Sequence, residues 1–249
     1  MGRFARLALG AVPLLASFAA APAAATDLGA GFSVNGGATV VSDYRFRGIS
    51  QTDKNVAIQG TFSISHTSGF YATVWGSSID DYVAAGADAE LDLILGYKKT
   101  FGNTTVDGGV LYYYYPGGCC DIPTDFAEPY ISVSHVFGPV TAKATAAYAP
   151  EQKALSIGNG KEDNLYLAGD LAYAIPKTPV SLTAHLGHSF GPSYLTIGDA
   201  YTDWSLGASV TKANLTAGLS YVDTDKSIFS PDGKNLSKAG VVASVGVAF

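Results

Sequence analysis

The chain has 249 residues, 47% of them hydrophobic and only 14% charged, with 29 glycines, 15 tyrosines and 12 phenylalanines. That length suits one large domain or one barrel, and the charged fraction falls well below the quarter usual in soluble domains. Beyond the N-terminus there is no apolar run of the roughly 20 residues that a membrane-spanning helix needs, which excludes a helix bundle. A formal charge of −6 disfavours nucleic acid as a partner.

The first element in chain order is a leader. Arg3 and Arg6 form a positive start, Leu7–Ala20 is apolar, and Ala23-Ala24-Ala25 offers the small residues a signal peptidase reads. Cleavage is expected after Ala25, leaving 26–249 as the mature chain. The apolar stretch is too short to stay as an anchor. No Cys follows the cleavage position, which argues against lipoprotein processing. Without Arg3 and Arg6 the formal charge moves from −6 to −8.

From there on the pattern alternates with period two, the signature of strands. Leu91, Leu93, Leu95 and Tyr97 share one face, opposed by Glu90, Asp92, Ile94 and Gly96. Leu165, Leu167, Gly169, Leu171 and Tyr173 are opposed by Asn164, Tyr166, Ala168, Asp170 and Ala172. At the end of the chain, Val241, Ala243, Val245, Val247 and Phe249 face away from Gly240, Val242, Ser244, Gly246 and Ala248. A solvated sheet would carry Lys and Glu on its polar face. Here that face is Ser, Thr, Gly and Asn with scattered charges, which suits a wet lumen opposite a lipid-facing aliphatic surface.

Twelve strands are predicted, at 32–46, 56–65, 70–77, 90–98, 105–115, 127–137, 140–149, 164–174, 180–190, 203–211, 215–222 and 239–249. An even number is what single-chain bacterial barrels require. The connections alternate in length: short ones at 66–69, 99–104, 138–139, 175–179 and 212–214, and long ones at 47–55, 78–89, 116–126, 150–163, 191–202 and 223–238. Short periplasmic turns and longer extracellular loops give that asymmetry. Strand 70–77 is the least patterned, since Phe70, Tyr71, Val74 and Trp75 leave neither face clearly polar. Two aromatic belts are expected on the lipid face: Tyr44, Phe46, Tyr112, Tyr114 and Tyr148 at the loop end, and Tyr97, Phe137 and Phe249 at the turn end.

Several segments resemble the TorF family of proteobacterial outer-membrane porins. The run Ser42-Asp43-Tyr44-Arg45-Phe46-Arg47-Gly48-Ile49-Ser50-Gln51-Thr52 is similar to that family's opening signature. The segment Gly69-Phe70-Tyr71-Ala72-Thr73-Val74-Trp75-Gly76-Ser77-Ser78 resembles its second block, and Glu90-Leu91-Asp92-Leu93 and Tyr115-Pro116-Gly117 resemble its third and fourth. The likeness is dense over the first half of the mature chain; the paired Cys119-Cys120 is not part of it. It implies an outer-membrane pore and brings no established substrate and no catalytic residues.

By strand parity, Asp43, Arg45, Arg47, Glu90, Asp92, Asp107, Glu128, Lys143 and Asp170 face the lumen, with Lys143 opposite Asp170 across a hairpin. Charges inside a barrel must be hydrated or paired. They either select solutes at a constriction or form a network that fills the barrel, and twelve strands lie between the filled and the open case. Arg45, Arg47, Glu90 and Asp92 are the expected selectivity residues. Val245, Val247 and Phe249 are expected to end an assembly-signal strand.

Other chemistry is thinly supported. His185 shares a face with Ser181 and Ser189, as a lipid hydrolase would use, but no nucleophile motif surrounds it. His185 and His188 point to opposite faces, and Asp80, Asp81, Asp88, Asp223 and Asp225 lack calcium-loop spacing, so no metal and no cofactor are expected. Cys119 and Cys120 have Cα atoms about 3.8 Å apart, so a bond between them would be strained. Intermolecular bonding is also open to them, and the plainest reading is loop residues without chemistry. The loops are short for an adhesin, the alternative of a surface binding or structural protein. The expectation is therefore an all-β, twelve-stranded outer-membrane barrel and no enzyme. Its expected partners are outer-membrane lipid and lipopolysaccharide, the barrel-assembly machinery and small solutes.

Overall fold

The computed structural model describes residues 25–249. The expected leader, Ala25 apart, lies outside the described residues. Fifteen strands follow in chain order: β1 (Thr26–Gly29), β2 (Phe32–Val41), β3 (Arg45–Phe46), β4 (Ile49–Ser50), β5 (Ala57–His66), β6 (Phe70–Ser78), β7 (Ala89–Phe101) and β8 (Thr104–Tyr114). They continue with β9 (Phe126–Phe137), β10 (Val140–Gln152), β11 (Glu162–Ala174), β12 (Val180–Phe190), β13 (Tyr201–Lys212), β14 (Leu215–Thr224) and β15 (Gly240–Ala248). No α-helix occurs among the described residues.

Strands β5 to β15 each pair antiparallel with the next in sequence, and β2 pairs with both β15 and β5, so the sheet closes. Among the described residues this is a barrel of twelve strands, β2 and β5 to β15, with β1 folded back on β2 at one end. Closure leaves no open sheet edge, the condition for backbone to cross a bilayer as strands. Ile58, Phe62, Leu95, Leu186, Leu206 and Val241 stand exposed on the outer wall, where an apolar solvent accepts them. Tyr112, Tyr114 and Tyr148 are exposed near the loop end, and Tyr97, Phe137 and Phe249 near the turn end, as the two belts require. Trp75 points inward with Tyr71, Thr73 and Ser77, which settles the faces of β6.

The first strand departs from expectation. It stops at Val41, not at residue 46, and residues 42–53 turn back into the barrel instead of standing outside it, before the chain emerges at the exposed Lys54, Asn55 and Val56. Arg45 and Phe46 pair with Ile49 and Ser50 as a small hairpin within the lumen. Tyr44 and Phe46 are therefore buried inside and belong to no lipid-facing belt. Both gain aromatic neighbours there: Tyr44 lies 5.4 Å from Trp75 and Phe46 5.9 Å from Tyr113, centroid to centroid.

Other loops cover the same end. Ile79, Ala84 and Ala87 from loop 79–88 and Leu155 from loop 153–161 join the buried cluster of Tyr44, Trp75, Leu111 and Tyr113. Ile228 and Leu236 from loop 225–239 pack with Ile49 and Tyr201. The Lys226 ammonium donates to the carbonyls of Thr196, Ile197 and Asp199 at 2.6, 3.2 and 3.0 Å, tying two loops together. Cys119 and Cys120 are joined by a disulfide, and the Cys119 N–H donates to the Ala85 carbonyl at 2.7 Å.

Candidate functional site

The site is the lumen and the loop that enters it. Asp43 organises that loop: its carboxylate accepts from Arg45 Nε at 2.6 Å and from Ser50 Oγ at 2.6 Å. Arg47 and Gly48, with φ of 47° and 81°, form the left-handed turn between β3 and β4. Gly48 has no room for a side chain, because a Cβ there would run into the Thr224 methyl and Asp203. Arg45 Nη1 donates to the carbonyls of Gly48 and Leu236, both at 2.9 Å, bolting the loop to its neighbour. Tyr82 adds a clamp by donating to the Ser50 carbonyl at 2.6 Å, and burial pushes its phenol up to about 12.

Arg47 is the deepest anchor. Its Nη2 donates to both Glu128 oxygens at 2.7 and 2.8 Å, and Nη1 donates to Asn164 Oδ1 at 3.0 Å. The guanidinium lies 4.1 Å from the Tyr166 ring centroid and 4.8 Å from that of Phe46. Tyr201 donates to the Arg47 carbonyl at 3.1 Å. Three wall strands, β9, β11 and β8 through Tyr113, thus meet one loop side chain or its charge partner, and β13 holds the backbone carbonyl of the same residue.

Glu90 and Asp92 project inward from β7, both buried. Tyr44 donates to Glu90 at 2.7 Å. Asp107 accepts from Tyr71 at 2.7 Å, and Tyr71 also meets the Tyr130 hydroxyl. Lys143 stands opposite Asp170 in the hairpin register, as expected. His185 sits between two carboxylates, with Nδ1 2.7 Å from Asp170 and Nε2 3.1 Å from Asp203. The Tyr166 hydroxyl lies 3.0 Å from the same Nε2. Ser189 does not reach it and donates instead to Asn164 at 3.2 Å. No cluster of three or more metal-ligating side chains occurs among the described residues.

The two halves of the lumen differ in access. On β11, Asn164 and Tyr166 are buried, Asp170 is half-buried and Ala172 is exposed; on β12, Ser189 is buried, His185 half-buried and Thr183 exposed. On β10, Ala147 and Ala149 are buried while Lys143 and Thr141 are half-buried. Along this wall water enters from the turn end and stops at the plug. On β14 and β15 the inward Thr216, Ser220 and Ser244 stay buried nearly to the turns.

Asp43, Arg45, Arg47, Glu90 and Asp92 all lie in the closed half, and Asp107, Lys143 and Asp170 in the accessible half. Asp203 and Tyr166 also carry the network; their parity placed them on the polar face, but nothing local marked them as partners of His185. Val245, Val247 and Phe249 face outward on the closing strand. The Phe249 backbone exchanges hydrogen bonds with Gly36 at 2.8 and 2.9 Å.

Solved structures with this architecture include the NanC porin, 14% identical at a TM-score of 0.58, with 87% of this chain and 98% of that one covered. The KdgM porin in complex with disordered oligogalacturonate matches at 10% identity and a TM-score of 0.55, covering 87% of this chain and 97% of that one. These likenesses show a shared outer-membrane barrel fold. No curated protein sequence matches significantly. The family described as bacterial protein of unknown function (Gcw_chp) matches residues 24–249, and the chain belongs to it.

Proposed function

We propose that this protein is a narrow outer-membrane channel for small solutes, of the TorF porin type, with loop 42–56 as its closed gate. It is exported through a cleaved leader, inserted with the help of its Phe249-terminated strand, and set in lipid with its long loops facing lipopolysaccharide. It has no catalytic role. The observation that carries this reading is the charged, water-accessible half-lumen around Asp107, Lys143 and Asp170. Ionisable groups placed there serve a solute path better than they serve packing.

Solute preference follows from charge. Carboxylates at Asp43, Glu90, Asp92, Asp107, Glu128, Asp170 and Asp203 outnumber the cations Arg45, Arg47, Lys98 and Lys143. A polyanion such as the oligogalacturonate held by the KdgM porin is disfavoured here, and small cations or neutral solutes are favoured. Glu90 and Asp92 are the selectivity residues of the narrow half, with Arg45 and Arg47 setting the gate.

A second reading, a barrel that never conducts and acts through its surface, is favoured by the burial of the Arg47–Glu128 pair. Proteoliposome swelling separates the two. The channel reading expects slow swelling in a small neutral sugar with the native protein and faster swelling with Arg47→Ala. Absence of swelling from both, with the barrel folded, assigns the protein to the non-conducting reading.

A further inference from the structure

The closed half of the lumen holds more negative charge than its own cations answer. Asp43 has Arg45 at 2.6 Å and Glu128 has Arg47 at 2.7 Å. Among the described residues, Glu90 and Asp92, two residues apart on the inward face of β7, have no cationic side chain within ion-pair distance. Glu90 is relieved by the Tyr44 hydroxyl. Asp92 has no such relief: it is fully buried, and neither carboxylate oxygen has a hydrogen-bond partner among the described residues. A buried carboxylate left alone is among the costliest arrangements a protein can keep.

The walls around Asp92 are aromatic. Trp75 of β6 and Tyr113 of β8 are its register partners on either side, and both are buried. We propose that a monovalent alkali cation sits at Asp92, with Glu90 as its second carboxylate. Among the described residues no third His, Cys, Asp or Glu joins the two carboxylates to replace lost water, which favours a monovalent ion, since it gives up its water at far lower cost than a divalent one. Burial of Tyr44, Trp75 and Tyr113 around the site leaves no space for a bulky organic cation. The site holds its ion whether or not the barrel conducts.

The chain has two tryptophans, Trp75 and Trp204, so a Trp204→Phe background makes Trp75 the reporter. The folded mature protein in detergent is titrated with sodium or potassium chloride, replacing N-methylglucamine chloride at constant ionic strength. The expected result is a saturable change in Trp75 emission and a melting temperature several degrees higher in the alkali salt. Both are lost in Asp92→Asn and weakened in Glu90→Gln. Identical emission and melting in all salts, as a protonated Asp92 would give, overturns the proposal. So does a response that persists unchanged in Asp92→Asn. Should Asp92→Asn fail to fold, crystals of the native protein soaked in thallium(I) decide. An anomalous peak within about 3 Å of the Asp92 carboxylate supports the site, and its absence there rejects it.

Discussion

Arg47 and Glu128, 81 positions apart in sequence, form a two-pronged ion pair inside the barrel, with both side chains almost wholly screened from solvent. The pair joins the loop after the first barrel strand to the far wall. Removing one member strands the other as an uncompensated buried charge.

Arg47→Ala is therefore expected to destabilise the folded barrel by about 3–5 kcal/mol, and Arg47→Ala with Glu128→Ala by less than the two single changes summed. Denaturant titration followed by fluorescence measures both. Additive losses would mean that the two groups do not depend on each other.

Gly48 tests the turn that aims Arg47. With φ at 81° and Thr224 and Asp203 against it, Gly48→Val must strain the backbone and push the loop away. The expected cost is about 1–3 kcal/mol. A variant as stable as the parent would show that the turn has slack.

How much of this was legible in the sequence depends on what sets each feature. Lipid on one side and lumen on the other force period-two alternation, so the faces of β7, β11 and β15 could be read from residue types alone. The alternating loop lengths gave the two ends of the barrel. Where β2 stops was not legible. Asp43, Tyr44, Arg45 and Phe46 continue the alternation past Val41, yet they alternate as a hairpin inside the lumen. Their environment is set by Trp75, Tyr113 and Glu128, which are distant in sequence, and local parity carries no information about such partners. The same applies to Asp203, whose importance appears only when His185 and Tyr166 come beside it.

The access difference along β12 predicts a labelling contrast. Thr183→Cys lies in the exposed turn-end half and Ser189→Cys behind the plug. A membrane-impermeant maleimide should modify the first at least about tenfold faster, and Arg47→Ala should narrow the gap. Equal rates in the parent background would contradict a lumen closed at the loop end.

Phe249 closes the ring through its backbone exchange with Gly36, and its ring leaves no room for a Cβ at that glycine. Deleting Phe249 should lower the yield of heat-modifiable, folded barrel in the outer membrane while export continues. Normal assembly of the shortened chain would remove the assembly role assigned to this strand.

Single-channel conductance in planar bilayers tests most directly whether loop 42–56 closes a true pore. The native mature protein should be mostly silent with rare openings, and Arg47→Ala should open in steady, cation-preferring steps. A folded Arg47→Ala barrel that stays as silent as the parent would contradict the channel and leave a filled barrel in its place.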